Sequence, residues 1–268
     1  MKKANKIMTI LIFIFLYIPM AVLIVASFNT GKDITEFQGF TLRQYERLFQ
    51  DRSLLRLLGN SLLVSVLASF IATVFGTVSA VGIHNLNPKM RKVAMTLTDI
   101  PMTNPDIVTG VSLSLLFVFV GSKMLGQRNS LTFWTLLIAH ITFNLPYVIL
   151  NVMPKLKQMD VSLTDAAMDL GCTPAQTFCK VVLPLSMPGI LSGMTMVFVP
   201  AVSTFYISQK LGGTDTVLIG DVIERQFKQG NNPNLGAALS LVLMVLVFVC
   251  TGIMNRFGGE EAEGGVVV

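Results

Sequence analysis

Long apolar segments alternate with short polar ones along most of the chain. Each apolar segment has about 20 residues or more, the length that an α-helix needs to cross the roughly 30 Å hydrocarbon core of a bilayer. The pattern predicts an all-α, polytopic membrane protein with six transmembrane helices. The apolar segments cover residues 8–28, 60–84, 94–120, 131–153, 188–208 and 235–255.

The polar segment 29–57 has an amphipathic pattern of its own. Leu42, Tyr45, Leu48 and Phe49 recur at helical spacing, with charged residues between them. This spacing predicts a helix that lies along the outer surface of the membrane.

Composition and charge narrow the class of protein further. Charged residues make up 13% of the chain, about half of the roughly 25% that is usual in soluble domains. The net charge is +5, and the basic residues lie mostly in loops, without the basic and aromatic interleaving that would indicate nucleic-acid binding. Basic residues are densest before the first apolar segment and in the short loop NLNPKMRKV, which favours a cytoplasmic location for both termini.

The segment SLTDAAMDLGCTPAQTFCKVVLP carries helix caps between two membrane spans. Ser162 and Asp165 have the spacing of a capping box that begins a two-turn helix, and Gly171 is placed to end it in the left-handed conformation. Thr173 and Gln176 have the spacing of a second box, with a proline at the first helical position. The pattern predicts two short, rigid helices that meet at a glycine corner, the second of them ended by the prolines that follow. Such an element is either an ordered connector or a lever that passes motion to a cytoplasmic partner.

The same segment resembles the EAA motif of type-1 ABC importer permeases, which reads E-A-A-x-x-x-G and continues to an aliphatic residue and L-P. Ala166, Ala167, Gly171 and the V-L-P run that ends at Pro184 match this motif. Asp165 stands where the motif has glutamate, so the charge is kept but the side chain reaches less far.

The resemblance implies that the loop of residues 160–184 couples the chain to a cytoplasmic ATPase subunit. The first short helix would be the coupling helix, seated in a groove of that subunit. The small and apolar side chains at its centre would pack in the groove, and the glycine would permit the corner. The coupling residues predicted in this way are Asp165, Ala166, Ala167, Met168, Gly171 and Pro184.

The resemblance also assigns domains and a substrate. It implies the type I ABC importer permease fold for residues 57–255, preceded by a first transmembrane helix and external segment in residues 1–56 and followed by a cytoplasmic tail in residues 256–268. GFTLRQYERLF, MTNPDIVTGVSL and PAVSTFYISQKLGGTDTVLIGDVIERQF resemble the spermidine/putrescine importer permeases in particular. The implied function is a permease subunit that moves a polyamine across the cytoplasmic membrane by alternating access.

Such an importer implies several partners. ATP-binding cassette ATPase subunits would bind ATP and Mg²⁺, a second permease subunit, similar or identical, would complete the pore, and an extracellular or periplasmic solute-binding protein would deliver substrate. The chain itself has no G-x-x-x-x-G-K-[ST] loop, so we expect it not to hydrolyse ATP and not to be an enzyme. Its cysteines have no metal-ligand spacing, and we expect no cofactor or metal in this chain.

Asp106 places a carboxylate inside an apolar segment, in TDIPMTNPDIV. A charge within a membrane span costs at least about 2.5–3.5 kcal/mol on insertion scales, so it usually faces a cavity or a partner. Pro101 and Pro105 would break the helical hydrogen bonds and expose carbonyl groups beside it. A cationic substrate would find these acceptors together; alternatively, Asp106 caps the helix that restarts after Pro105.

Three further residues are candidates for the substrate pathway. Asn144 shares one face of the predicted fourth span with His140, where hydrogen bonding between helices is the alternative role. Phe205 and Tyr206 lie near the outer end of the predicted fifth span. Aromatic faces there would hold an ammonium group by cation–π attraction or anchor the helix at the interface.

Other classes of protein fit parts of the sequence. An ABC permease for another small solute, a metal or an oxyanion, would share the coupling motif. An ion-gradient-driven secondary transporter would need an inverted repeat and broken helices in both halves, whereas only the third span is interrupted in this way. A membrane-embedded enzyme would need a catalytic cluster, and the sequence offers none.

Overall fold

The computed structural model describes residues 2–31, 34, 36–124, 126, 131–213, 216–229 and 232–258. Most of the predicted tail, residues 259–268, lies outside the described residues. The α-helices are α1 (Lys2–Ser27), α2 (Arg43–Gln50), α3 (Arg52–His84), α4 (Pro88–Thr103), α5 (Asp106–Phe119), α6 (Phe133–Gln158), α7 (Val161–Asp169), α8 (Pro174–Thr177), α9 (Leu183–Ser203), α10 (Tyr206–Leu211), α11 (Ile219–Lys228) and α12 (Pro233–Gly258). One π-helical turn, Val120–Met124, continues α5, and a second, Phe178–Val182, joins α8 to α9.

The prediction of six membrane-crossing helices is confirmed among the described residues. The helical segments long and apolar enough to cross a membrane are Asn5–Ser27, Arg52–His84, Asp106–Lys123, Phe133–Gln158, Pro174–Ser203 and Pro233–Arg256.

The bounds of several predicted spans were wrong. Helix α3 begins at Arg52, eight residues before the predicted second span, and α6 ends at Gln158, five residues after the predicted fourth span. The predicted third span, 94–120, is two helices, because α4 ends at Thr103 and α5 begins at Asp106. Pro105 causes this break: it disfavours the helical conformation of the residue before it, and Asn104 is extended, with φ −77° and ψ 139°. Pro101 lies inside α4 without ending it. The predicted fifth span, 188–208, is shifted, since α9 begins and ends five residues earlier.

The chain forms two compact units, with boundaries that fall inside α3 and α12. The first comprises Met1–Gly59 and Leu218–Leu246, and the second comprises Asn60–Val217 and Val247–Val268.

In the first unit, α2 packs on the end of α1. The hydroxyl of Tyr45 donates to Ser27 Oγ at 2.8 Å, and the Tyr45 ring lies 5.2 Å from the Phe28 ring. Leu48, on the same face of α2, is fully buried. The amphipathic helix predicted within 29–57 therefore exists, but it is short.

Side-chain amides bond to the backbone of described residues in the loop that joins α1 to α2. Asn29 Nδ2 donates to the Glu36 carbonyl at 2.7 Å, and Asn29 Oδ1 accepts from the Gln38 N–H at 2.9 Å. Asn234, at the start of α12, donates to the Gly31 carbonyl at 2.6 Å. These bonds satisfy backbone groups of the loop that no helix or sheet would pair.

In the second unit, α6 is packed between α3 and α9 through glycines. A Cβ at Gly76 of α3 would lie 2.6 Å from Val148 Cβ, and a Cβ at Gly193 of α9 would lie 3.3 Å from Val148 Cα. A Cβ at Gly189 would lie 2.9 Å from the Asn151 carbonyl oxygen. Small residues allow this close approach, which drives association of membrane helices where lipid removes the hydrophobic advantage.

Candidate functional site

The coupling segment begins with a helix cap that differs from the predicted one. Helix α7 starts at Val161, and Asp160 is its N-cap, accepting a hydrogen bond from the Ser162 N–H at 3.0 Å. The predicted box between Ser162 and Asp165 is therefore wrong, because both residues lie inside α7. The hydrogen bond from the Ser162 backbone, with a second from its hydroxyl, lowers the pKa of the Asp160 carboxyl from its ordinary value. The negative charge of the cap also suits the positive end of the helix dipole.

Gly171 forms the predicted corner at the end of α7. Its φ is +88°, in the left-handed region that favours glycine. The Gly171 N–H donates to the Met168 carbonyl at 2.9 Å, and the Cys172 N–H donates to the Ala167 carbonyl at 3.1 Å. This pair of bonds satisfies carbonyl groups at the helix end and fixes the direction in which the chain leaves it.

The second predicted capping box is confirmed, but the helix after it is longer than predicted. The Thr173 N–H donates to Gln176 Oε1 at 2.9 Å, and the Gln176 N–H donates to Thr173 Oγ1 at 3.4 Å. Pro184 does not end this helix, because it lies just after the π-helical turn Phe178–Val182 and the chain stays helical on both sides of it; Pro188 lies inside α9. Helical structure thus runs continuously from Pro174 to Ser203, through the π-helical turn. The corner at Gly171 is connected directly to a membrane span.

The exposed surface of α7 differs from the predicted set of contacts. Ala166 is exposed and Met168 is 44% exposed, whereas Ala167 is buried, with 9% exposed. Asp165 is exposed. The largest exposed apolar side chains of this element are Leu163, at 45%, and Leu170, at 87%. These two leucines were not among the predicted coupling residues, although their helical spacing around the alanines was visible in the sequence.

Asp106 is placed at the break between α4 and α5. It is the first residue of α5, and the N-cap position itself belongs to Pro105. Its side chain is exposed. The carboxylate therefore lies beside the extended backbone of Asn104, next to a helix N-terminus whose dipole favours negative charge.

The two aromatic candidates lie close to the first turns of α5. A Cβ at Gly110 would lie 3.7 Å from Tyr206 Cδ1, and Gly110 is one helical turn after Asp106. Tyr206 begins α10, and Phe205, immediately before it, is 38% exposed. The structure thus brings Asp106, Phe205 and Tyr206 into one region.

The Tyr206 ring already makes a cation–π contact with a lysine of the same chain. Lys210 Nζ lies 5.9 Å from the centroid of this ring, within the range of a cation–π contact. The Lys210 carbonyl accepts a hydrogen bond from Ser114 Oγ at 3.1 Å, which ties α10 to α5. Lys210 was not among the predicted site residues; its position one helical turn after Tyr206 was the available signal in the sequence.

Asn144 lies elsewhere in the second unit. Thr135, near the start of α6, donates to the Leu211 carbonyl at 2.9 Å, so α10 lies at that end of α6. Asn144 is further along α6 by nine residues, which is about 13 Å of helix. Asn144 and His140 are both buried, and His140 Nδ1 is bonded to the Leu136 carbonyl of its own helix at 2.9 Å.

Asn151, a different residue of α6, makes hydrogen bonds to a neighbouring helix. Asn151 Nδ2 donates to Met196 Sδ at 3.2 Å, and Asn151 Oδ1 accepts from Ser192 Oγ at 3.3 Å. Both partners are on α9. Asn151 was not among the predicted site residues; its only signal in the sequence was a polar side chain in an apolar segment.

Comparison with known proteins gives a consistent set of similarities. The family described as "Binding-protein-dependent transport system inner membrane component" matches residues 72–258. The chain is 34% identical over 253 residues to the spermidine/putrescine transport system permease protein PotC of Escherichia coli K12, covering 94% of this chain and 93% of that protein. It is 33% identical over 235 residues to the putrescine transport system permease protein PotI of the same strain, covering 86% and 82%.

Among solved structures, the fold is similar to that of a bacterial ABC transporter involved in the import of the acidic polysaccharide alginate. The TM-score is 0.79 at 20% identity, covering 96% of this chain and 94% of that one. A second structure of a bacterial alginate transporter, similar at a TM-score of 0.77 and 20% identity over 98% and 96% of the chains, is in complex with a periplasmic protein. At these identities the similarity concerns the fold, which is that of ABC importer permeases.

Proposed function

Since this chain belongs to the family of inner membrane components of binding-protein-dependent transport systems, we propose that it is the permease subunit of an ATP-driven ABC importer of polyamines. It is a multi-pass membrane protein and a transport permease component, which is not an enzyme. In the proposed cycle it alternates between inward-open and outward-open states and passes spermidine or putrescine across the cytoplasmic membrane.

The proposed importer has four kinds of partner. ATPase subunits bind ATP and Mg²⁺ and provide the energy, while this chain holds no cofactor. A second permease subunit completes the pore, an extracellular or periplasmic solute-binding protein delivers the substrate, and the lipid bilayer surrounds the spans. Both termini and the loop of residues 160–184 face the cytoplasm, where the ATPase subunits are.

The observation that carries the proposal is the stiff corner at Gly171. Helix α7 is capped at Asp160, its end is fixed by two backbone hydrogen bonds, and the next helix continues into the span of α9. Movement of α7 therefore has a rigid path to the membrane. Leu163, Ala166 and Leu170 leave apolar surface exposed on this element, which is typical of a surface that contacts another protein.

Two observations support a polyamine as the substrate. The two relatives described above that share 34% and 33% identity with this chain are permeases of spermidine/putrescine and putrescine transport systems. Asp106 offers an exposed carboxylate in the region of Phe205 and Tyr206, and carboxylate and aromatic groups are the two kinds of side chain that attract ammonium groups. In the proposed pathway, an ammonium group of the substrate pairs with Asp106. Asn144 would contact the substrate at a separate, deeper position.

Lys210 favours a second candidate, an importer of an anionic solute. Its ammonium group lies over the Tyr206 ring, where a cationic substrate would be repelled and an oxyanion attracted. The two candidates are separated by the charge that transport needs: the polyamine proposal requires Asp106, and the oxyanion alternative requires Lys210.

Co-purification tests the proposed class. The tagged chain, extracted in mild detergent from its native membrane, is expected to bring an ATP-binding cassette ATPase with it. Ala166→Glu adds a charge to the exposed surface of α7 and is expected to lose the ATPase. Asn85→Glu, a change at an exposed loop residue on the same predicted side of the membrane, is expected to retain it.

Recovery of the chain without any ATPase, together with uptake that follows an ion gradient, would contradict the proposal and favour a secondary transporter. Equal retention of the ATPase by both variants would remove α7 from the contact.

A further inference from the structure

Four arginines of the first unit are exposed in one short stretch of the chain. Arg43 and Arg47 are one helical turn apart on α2, and Arg52 and Arg56 are one turn apart at the start of α3. In the part of the chain that the structure describes, none of the four guanidinium groups has an ion pair or a hydrogen bond. Their charge is therefore available to a partner outside the chain.

These arginines lie next to the ends of two helices that are long and apolar enough to cross a membrane. Tyr45 of α2 is hydrogen bonded to Ser27, the last residue of the span α1. The residues of α3 that follow Arg56, 57–83, contain no charged side chain. Helix α3 has 33 residues and is about 50 Å long, which exceeds the roughly 30 Å hydrocarbon core. Its first turns can therefore extend into the headgroup layer while the uncharged part crosses the bilayer.

Exposed aromatic rings accompany the arginines. Phe37, Phe40 and Phe49 are 58%, 70% and 62% exposed. Phe40 is stacked on Phe28, the residue after α1, at 5.2 Å between ring centroids. Aromatic and apolar side chains next to basic ones are the pattern of segments that lie in the membrane interface.

We propose that α2 and the first turn of α3 form a binding site for the phosphate groups of anionic phospholipids, in the leaflet at which α1 ends. The unpaired positive charge of the four arginines attracts the negatively charged phosphate groups. The acyl region beside the headgroups covers the exposed phenylalanines, which a soluble phosphate would leave in water.

The net charge of this stretch argues against a role in binding the polyamine substrate. Glu46 and Asp51 oppose part of the positive charge, but neither forms an ion pair with an arginine among the described residues. Positive charge remains in excess, so this surface repels a polycation. The stretch is therefore not an entry point for a polyamine. The lipid site does not otherwise depend on the proposed function.

Retention of lipid by the intact protein tests the site. The full chain, with the subunits that accompany it, is reconstituted in vesicles of equimolar phosphatidylglycerol and phosphatidylcholine and released for native mass spectrometry. Loss of two basic residues near an anionic surface corresponds to about a thirty-fold change in affinity. The variant R43Q/R47Q is expected to lower the ratio of retained phosphatidylglycerol to phosphatidylcholine by about this factor.

The matched control is R43K/R47K, which changes the same positions but keeps their charge. It is expected to retain phosphatidylglycerol to within about three-fold of the unchanged chain, because most of the attraction is electrostatic. Arg43 and Arg47 are both exposed, so we expect both variants to keep the helix content of the unchanged chain, as measured by circular dichroism.

Unchanged phosphatidylglycerol retention by R43Q/R47Q would overturn the proposal. If the same variant also binds the purified solute-binding protein more weakly, the arginines contact a protein partner instead.

Discussion

Replacing Gly171 with valine tests the corner that connects α7 to the membrane span. The Cβ of the new side chain meets nothing within 4 Å, so the cost comes from the backbone conformation and not from a clash. An L-residue in the left-handed region costs roughly 1–2 kcal/mol, and a β-branched one costs more. About 2 kcal/mol corresponds to a roughly thirty-fold shift away from the native corner.

Uptake of labelled spermidine, normalised to the amount of assembled complex in the membrane, measures the effect. We expect Gly171→Val to lower uptake per complex by at least about tenfold. The chain should still insert and assemble, because the corner lies outside the spans. Gly171→Asn is expected to keep most of the activity, since asparagine tolerates the left-handed conformation. Gly252→Val is the matched control: its Cβ also meets nothing within 4 Å, and its φ is not positive.

Normal uptake by Gly171→Val, at normal levels of complex, would refute the reasoning. It would mean that transport does not need the bonds at the end of α7. Loss of uptake in Gly252→Val as well would show that valine is harmful even at a glycine without a positive φ. The effect at Gly171 could then not be assigned to its left-handed conformation.

Three further predictions use other parts of the molecule. Asp106→Asn is expected to lower polyamine uptake per complex by about ten- to a hundredfold, since a hydrogen bond to a charged group is worth roughly 1.5–3 kcal/mol; Lys210→Gln is expected not to lower it, and the reverse pattern in the same uptake assay would favour an anionic solute. A cysteine at Ala175, in a chain without its native cysteines, is expected to react with an impermeant maleimide only from the cytoplasmic side; reaction from outside intact cells would invert the predicted orientation. Gly189→Ala is expected to destabilise the contact between α6 and α9 by about 1–3 kcal/mol, because its Cβ would lie 2.9 Å from a backbone oxygen; thermal unfolding in detergent checks this, and an equal loss in the open-site control Gly82→Ala would contradict it.

A helix cap in the coupling segment could be predicted from the sequence where only one residue nearby was a good N-cap. Thr173 and Gln176 form their box because both partners are within four residues of each other. The start of α7 was mistaken because Asp160 and Ser162 are both good caps. The choice between them depends on where α6 ends, at Gln158, two residues before Asp160.

Contacts between distant parts of the chain were not predictable from local patterns. Pro101 and Pro105 look equivalent in the sequence, yet only the second ends a helix. The approach of Tyr206 to Gly110 joins residues far apart in the chain, so neither position signals the other. The Lys210 ammonium over the Tyr206 ring depends on α10 being helical, whereas the sequence analysis placed this segment at the end of the fifth span.

The packing of α6 against α9 was predictable in part from the sequence. Gly189 and Gly193 have the spacing G-x-x-x-G in an apolar segment, a pattern typical of close helix contacts in membranes. The pattern was visible, but the facing residues, Val148 and Asn151, could be identified only from the structure.

Transport by the purified complex, reconstituted in vesicles with the solute-binding protein outside, tests the central claim most directly. The measurement is accumulation of labelled spermidine with MgATP on the side of the ATPase subunits, compared with an imposed proton or sodium gradient and no ATP. We expect accumulation that requires both ATP and the solute-binding protein, with no uptake from the ion gradients alone. Accumulation driven by an ion gradient without ATP would contradict the account and assign the chain to a different class of transporter.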